Sequence, residues 1–324
     1  MERILTGIQN TGIPHLGNIL GAMRPAIQLA KQYPQQQALF FIADLHALTT
    51  TKDVNIQRDN AYATAAAWLA CGVNPEESIF YRQSRIPAVC ELAWYLSCFT
   101  PYPMLANAHA FKRKAKRLSE VSTGLFTYPV LMTADILLYQ AQIVPVGMDQ
   151  RQHLEIARDL ALRFNQRYGP TFVIPQAKIN SSVPIIPGTD GEKMSKSYGN
   201  TLNPFLPATS LRKKIKTIKT DSTPLSQPKN PDLCPIFNLY RAIASELQIN
   251  NLRDAYLAGG YGYGQAKEAL WQLILTQFAE AREKFSSYSS NKSHLEAILR
   301  EGEEKAEKLA QETLHIVREK LGYT

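Results

Sequence analysis

Through roughly its first 175 residues the chain alternates short apolar runs with stretches of helical period. Residues 4–8, 38–43, 78–81, 143–146 and 171–174 read as strands, and 18–33, 57–71, 89–99, 130–139 and 150–164 read as helices. Such alternation predicts a parallel sheet covered by helices, with ligands at the carboxyl ends of the strands. A loop rich in Ser, Pro, Gly and charge follows over 179–207, after which strand signals fade. Residues 208–220 form a basic patch with Arg212, Lys213, Lys214, Lys216 and Lys219, and residues 221–235 are rich in Pro and Asp. From 236 onward helical periodicity dominates, interrupted by GGYGYG at 259–264, so a second, helical domain is predicted there. The Ser-rich piece at 285–293 is too short to read as disordered.

A chain of 324 residues suits about two domains. With 45% apolar and 20% charged residues it is an ordinary globular sequence, which excludes wholesale disorder, collagen and a coiled-coil rod. The excess of 36 Lys and Arg over 28 Asp and Glu gives +8, which suits an anionic partner such as a nucleotide or RNA, although a bland basic surface gives the same sum. Cys71, Cys90, Cys98 and Cys234 form no CxxC pair and fit neither a zinc knuckle nor a disulfide framework. No apolar run reaches the roughly 18 residues that span a bilayer, and the N-terminus lacks the pattern of a cleaved leader. The expectation is a reduced, cytoplasmic setting.

Two segments carry candidate chemistry. In TGIQNTGIPHLGNILGA, residues 6–22, a strand gives way to a helix through Pro14, His15, Leu16, Gly17 and Asn18. Small residues there let backbone approach a phosphate, and the helix N-terminus is expected to present free amides and a positive dipole end. A Gly-rich turn is as often plain geometry. In GEKMSKSYGN, residues 191–200, two lysines three apart can close over a leaving pyrophosphate and stabilise charge that builds in the transition state. His15, His46 and His153 have no partner at zinc-site spacing, and Asp149 with Glu155 is explained as well by a charged helix, so metal and hydrolytic readings are set aside.

PHLGN stands where class I aminoacyl-tRNA synthetases carry their HIGH motif, and KMSKS is the second motif of that class unaltered. With FIADLHALT (41–49), TYPVLMTADILLYQA (127–141) and VPVGMDQRQHLEIARDLALRFN (144–165), the chain resembles the bacterial tryptophanyl-tRNA synthetase family over nearly its whole length. The resemblance implies an α/β fold, a Rossmann-like doubly wound parallel sheet with a C-terminal helical domain. Residues 1–200 would form the catalytic domain, with a helical insertion over about 55–140, and 201–324 an anticodon-binding domain whose last helix is able to pack back on the first. It also implies activation of tryptophan by ATP, with Mg2+ accompanying the phosphates and no tightly bound protein-ligated metal, then transfer to tRNA(Trp). A homodimer with tRNA across both subunits follows from the same resemblance, with no DNA or membrane partner.

Carried over position by position, Gln9, Asn10, Thr11, His15, Gly17 and Asn18 would contact ATP, chiefly its phosphates. Lys193, Met194, Ser195, Lys196 and Ser197 would form the mobile loop over them, with Lys193, Lys196, Gln9 and Lys114 as the catalytic group. Gly147, Met148 and Asp149 would take the ribose and adenine, with Ile186 nearby. Tyr128, Met132, Asp135 and Gln150 would choose the amino acid, with Val144, Val146 and His46 as neighbours. Spacing of i, i+4, i+7 puts Tyr128, Met132 and Asp135 on one helix face. An indole N–H only donates, so its pocket needs an acceptor amid apolar, polarizable walls, which Asp135 and Met132 supply. The competing reading of that stripe is core, with Asp135 paired to a nearby base. Asn10, Met148 and Thr133 stand where the common bacterial form has Pro, Glu and Ala, which points to a divergent subgroup.

The helical segment would bind the anticodon stem, its cations meeting phosphates and Tyr261 and Tyr263 stacking on bases. Alternatives are a tyrosyl-tRNA synthetase, a small adenylyltransferase, or a non-catalytic paralogue that binds RNA or tryptophan. A tyrosine site would need partners for a hydroxyl that both donates and accepts.

Overall fold

A computed structural model of the protein describes residues 2–115, 120–179 and 186–323, apart from the side chains of residues 110, 113, 114, 149 and 179. Strand β1 (Arg3–Ile8) leads through a turn into one continuous helical run, made of α1 (Leu16–Asn18), a π turn (Ile19–Met23) and α2 (Arg24–Gln32). Then come β2 (Gln37–Ile42), α3 (Asp44–Ala47), α4 (Val54–Ala70), β3 (Ser78–Arg82), α5 (Ala88–Ser97), α6 (Tyr102–Ala106), α7 (His109–Ala115) and α8 (Thr123–Leu138). The alternating half closes with β4 (Ile143–Val146), α9 (Arg151–Tyr168) and β5 (Gln176–Ile179). Six helices follow: α10 (Ala208–Lys216), α11 (Pro235–Arg241), α12 (Glu246–Ala258), α13 (Tyr263–Gln277), α14 (Ala279–Ser290) and α15 (Lys292–Leu321). The Ser-rich piece lies largely in α14.

The five strands are parallel in the order β3-β2-β1-β4-β5. Strand order reverses between β1 and β4, so the crevice beyond their carboxyl ends is where such a sheet accepts ligands. Both faces are covered, and β2 shows why its sequence is almost continuously apolar: Phe40 and Ile42 enter one core while Leu39 and Phe41 enter the other.

Strand β3 is an edge, and α15 covers it. Leu295 and Leu299 of α15 pack in the first core, and Ala306, Ala310, Leu314 and Val317 in the second, so one helix seals both. Gly302 sits at the closest approach. A Cβ there would stand 1.9 Å from the Phe80 carbonyl oxygen, which explains a glycine in mid-helix despite its propensity cost of about 1 kcal/mol.

Two local expectations are corrected. Residues 171–174 are not a strand. Asn165 accepts the Thr171 and Phe172 N–H groups and donates to the Phe172 carbonyl, while Gln140 accepts the Val173 N–H. That backbone is therefore satisfied by side chains, Phe172 is buried as a core anchor, and β5 begins after Pro175. Helix α8 begins seven residues before the expected 130, at a Ser122 cap, and runs through Pro129. Burial of Leu125, Val130, Ala134 and Leu137 outweighs the one backbone bond that proline removes. Among the described residues no helix is long and apolar enough to cross a membrane.

Candidate active site

At the carboxyl end of β1 the two motifs meet. The Gly17 N–H points to Met194 Sδ at 3.4 Å, and Lys196 Nζ donates to the Gly12 carbonyl at 2.7 Å, with Thr11 Oγ1 at 3.5 Å. Met194 is buried in the core beneath the turn. Gly12 has φ +128°, a conformation that favours glycine, and it turns its carbonyl to the lysine. Burial lowers the Lys196 ammonium to about 8. Burial, followed by the nearby Lys196 charge, lowers His15 to about 4, so the imidazole is neutral at pH 7.

The expectation of free amides at the helix start is overturned. Leu16 N–H donates to the Leu202 carbonyl at 2.8 Å, Gly17 N–H to Met194, Asn18 N–H to His15 Nδ1 at 3.3 Å and Ile19 N–H to the His15 carbonyl at 3.0 Å. Asn18 Oδ1 accepts the His15 N–H at 3.2 Å, completing a capping box. Gly17 and Asn18 therefore hold the turn and the loop together, with Lys196 and Thr11 beside the turn. Asn10 is fully buried and directs its amide onto Gln57 O and Oε1, both at 2.9 Å, and so ties the turn to α4. Gln9 is half-buried beside it.

Asn200 organises the KMSKS loop, a role that sequence reasoning missed. Its Oδ1 accepts the Ser195 N–H at 2.8 Å, and its Nδ2 donates to Asp190 Oδ1 at 2.8 Å and to the Lys193 carbonyl at 3.2 Å. In the sequence it is a single polar residue three places after the motif, and its burial and partners appear only in the structure. Ser195 and Ser197 share a hydrogen bond of 2.8 Å. The structure does not bring Lys193 to the turn with Lys196: it is exposed and lines a separate cavity of about 260 Å³ with Asp232 and Arg241. Ile186 is core, with its carbonyl accepting the Met194 N–H at 2.9 Å. At the end of β4, Gly147 and Met148 are exposed. The side chains of Asp149 and Lys114 lie outside the described residues.

On the other side of the crevice, Asp135 is buried at 2% exposure. His46 Nε2 lies 2.9 Å from its Oδ2, and Gln83 Nε2 donates to Oδ1 at 2.8 Å and Oδ2 at 2.9 Å. Burial raises the carboxyl above its ordinary value, opposed by His46 and Gln83. The His46 ring meets Tyr128 edge-on at 6.3 Å. Tyr128 OH lies 2.7 Å from His153 Nε2, and His153 Nδ1 lies 2.9 Å from Gln150 Oε1. Met132 and Val146 are half-buried and Val144 is buried in the adjoining core. The structure thus joins Asp135, His46, Tyr128 and Gln150 in one set and adds His153 and Gln83. Gln83 follows the carboxyl end of β3, the position where a parallel strand places functional side chains.

The helical segment presents less than expected. Arg212 pairs with Glu268 and lies over Trp271, and Lys214 donates to the Gly199 carbonyl at 2.9 Å. Tyr261 and Tyr263 pack around buried Tyr256, with the Tyr263 hydroxyl on Asp221, so they do not form an open stacking pair. Lys213, Lys216 and Lys219 remain exposed. Among the described residues no group of three or more His, Cys, Asp and Glu side chains could hold a metal ion.

Residues 1–279 match the family of class I tRNA synthetases (W and Y). Over 320 residues, 99% of each chain, the sequence is 44% identical to a tryptophan–tRNA ligase of Campylobacter jejuni strain RM1221. It is 43% identical over 325 residues to that of Fusobacterium nucleatum, covering 99% of this chain and 98% of the other. The crystal structure of Campylobacter jejuni tryptophanyl-tRNA synthetase complexed with ADP and tryptophan matches with a TM-score of 0.92 at 44% identity, covering 99% of both chains.

Proposed function

The chain belongs to the class I tRNA synthetases of the tryptophan and tyrosine group, and from that premise we propose that it couples tryptophan to its tRNA by way of an adenylate. Its activity is that of a tryptophan–tRNA ligase. The tryptophan carboxylate attacks the α-phosphorus of ATP, pyrophosphate leaves, and the aminoacyl group passes to the terminal adenosine of tRNA(Trp). Support comes above all from the junction of the two motifs, in which Lys196 is held against the Gly12 turn at 2.7 Å.

Catalysis here is positioning and electrostatics. Lys196 faces the turn from across the loop, so moving its ammonium from the Gly12 carbonyl to a phosphate oxygen exchanges a neutral partner for a charged one, with most of that gain where negative charge accumulates on the leaving pyrophosphate. Mg2+ enters on the phosphates as part of the substrate. Gln9 and Thr11 line the turn, and Gly147 and Met148 at the end of β4 take the nucleoside side.

For the amino acid, an ionised carboxylate offers about four acceptor positions. His46 and Gln83 hold Asp135 in place and leave room for an indole N–H. The same arrangement disfavours a phenol, because the donors facing Asp135 are already directed onto it and a tyrosine oxygen would lack one. Tyr128, Met132, Gln150, Val144 and Val146 form the walls. The enzyme acts as a homodimer, a reading favoured by exposed Trp94 and Leu48 around an apolar cleft of about 480 Å³. Charging of tRNA(Trp) and tRNA(Tyr) transcripts with each amino acid tests the reading: tryptophan on tRNA(Trp) alone is expected, and tyrosine on tRNA(Tyr) would overturn it.

A further inference from the structure

The C-terminal helix reaches the Asp135 site through one arginine. Arg82, the last residue of β3, is buried, and its guanidinium is forked onto two carboxylates of α15. Nε donates to Glu303 Oε1 at 2.5 Å and Nη2 to Glu303 Oε2 at 3.1 Å, while Nη1 and Nη2 donate to Glu296 Oε2 and Oε1 at 2.9 and 2.8 Å. Tyr62 OH donates to Glu296 at 3.0 Å. Burial works against this cation, yet Glu303 and Glu296 outweigh it and hold the guanidinium above its ordinary range. Seven residues apart, the two glutamates share one face of α15, and Gly302 lets that face close on the Phe80 carbonyl two residues before Arg82.

The next residue in the chain is Gln83, at 1% exposure. Its Nε2 lies on both oxygens of Asp135, and its Oε1 accepts the Leu45 and His46 N–H groups at 3.2 and 3.4 Å. The side chain that aims the carboxylate is thus covalently adjacent to the one that α15 clamps.

We propose that α15 sets the geometry of the tryptophan pocket: Glu296 and Glu303 fix Arg82, Arg82 fixes the end of β3, and Gln83 thereby holds Asp135 in the orientation that accepts an indole N–H. Arg82, Glu296 and Glu303 are positioning residues. This inference rests on the reading of Asp135 as the indole acceptor. If the ion pairs served stability alone, loosening them would lower Tm and leave tryptophan affinity unchanged.

Arg82→Lys keeps the charge and cannot fork onto two carboxylates. Equilibrium dialysis of labelled tryptophan on the full-length enzyme should show a Kd raised about tenfold with the KM for ATP unchanged, and Glu303→Gln a rise of about threefold. In an Asp135→Asn background the effect of Arg82→Lys should largely vanish, because both changes act on one contact. Unchanged tryptophan Kd in Arg82→Lys, equal weakening of tryptophan and ATP, or full additivity with Asp135→Asn would each overturn the proposal. If Arg82→Lys does not fold, an unchanged Kd in Glu303→Gln does the same. Failure of the wild-type enzyme to bind tryptophan would overturn the Asp135 reading and this inference together, whereas effects confined to the variants concern the clamp.

Discussion

Asp135→Asn separates affinity from stability in a way the structure makes quantitative. A hydrogen bond from an indole N–H to an ionised carboxylate contributes about 1.5–3 kcal/mol. Its loss should raise the KM for tryptophan roughly 10- to 150-fold, because 1.4 kcal/mol is a factor of about ten. The stability effect should be smaller than that of most buried polar losses. Burial raises the Asp135 pKa in the fold, so the ionised form opposes folding, and that opposition grows as pH rises through the ordinary carboxyl range toward the folded value. At neutral pH the amide removes the desolvated charge. It also turns an NH2 group toward His46 or Gln83, at a cost of about 1–2 kcal/mol. The two contributions offset, and Tm should move by only a few degrees. The assay is tryptophan- and ATP-dependent pyrophosphate exchange with each substrate varied, beside a thermal melt. An unchanged KM for tryptophan would refute the argument and leave Asp135 as a core ion pair with His46. A collapse of Tm would refute the stability half.

Lys196 carries a pH signature. Its pKa of about 8 is below the ordinary lysine value, so the charged form is disfavoured in the fold and stability should rise as pH climbs above 8. Activity should do the reverse, with kcat/KM for ATP falling through pH 8 as the ammonium is lost, and Lys196→Arg should push that limb upward; a flat profile to about pH 9.5 would remove the lysine from the phosphate site. Asn200→Ala strips the Ser195 N–H and the Lys193 carbonyl of a buried partner and should cost about 2 kcal/mol of stability. It should also lower kcat about tenfold with tryptophan Kd by dialysis unchanged, and a change in Kd of the same size would show that the KMSKS loop is not its target.

Much of this architecture is written in local pattern. The apolar runs that became β1 to β4 are short, β-branched or aromatic, and bounded by turn residues, so periodicity finds them. Residues 171–174 have the same composition and still form no ladder, because Asn165 and Gln140 reach their backbone first, and side-chain competition of that kind depends on tertiary placement. Both motifs are visible as strings, and their meeting through Gly17 with Met194 and Gly12 with Lys196 joins residues 177 and 184 positions apart. Two of the expected free amides, those of Leu16 and Gly17, failed for the same reason, since Leu202 and Met194 arrive from the far loop to take them. Gln83, Asn200 and Arg82 were invisible: each is a single polar residue whose importance comes from a partner distant in sequence. Tyr261 and Tyr263 looked like a stacking pair until Tyr256 and Asp221 occupied them.

The most direct test of the central claim is amino-acid-dependent exchange of labelled pyrophosphate into ATP, run with tryptophan, tyrosine, phenylalanine and no amino acid. Exchange with tryptophan alone is predicted, since the activation step is reversible and the buried Asp135 carboxylate offers the indole N–H an acceptor. Exchange with tyrosine at a comparable rate, or none with any amino acid from folded protein supplied with Mg2+, would contradict it.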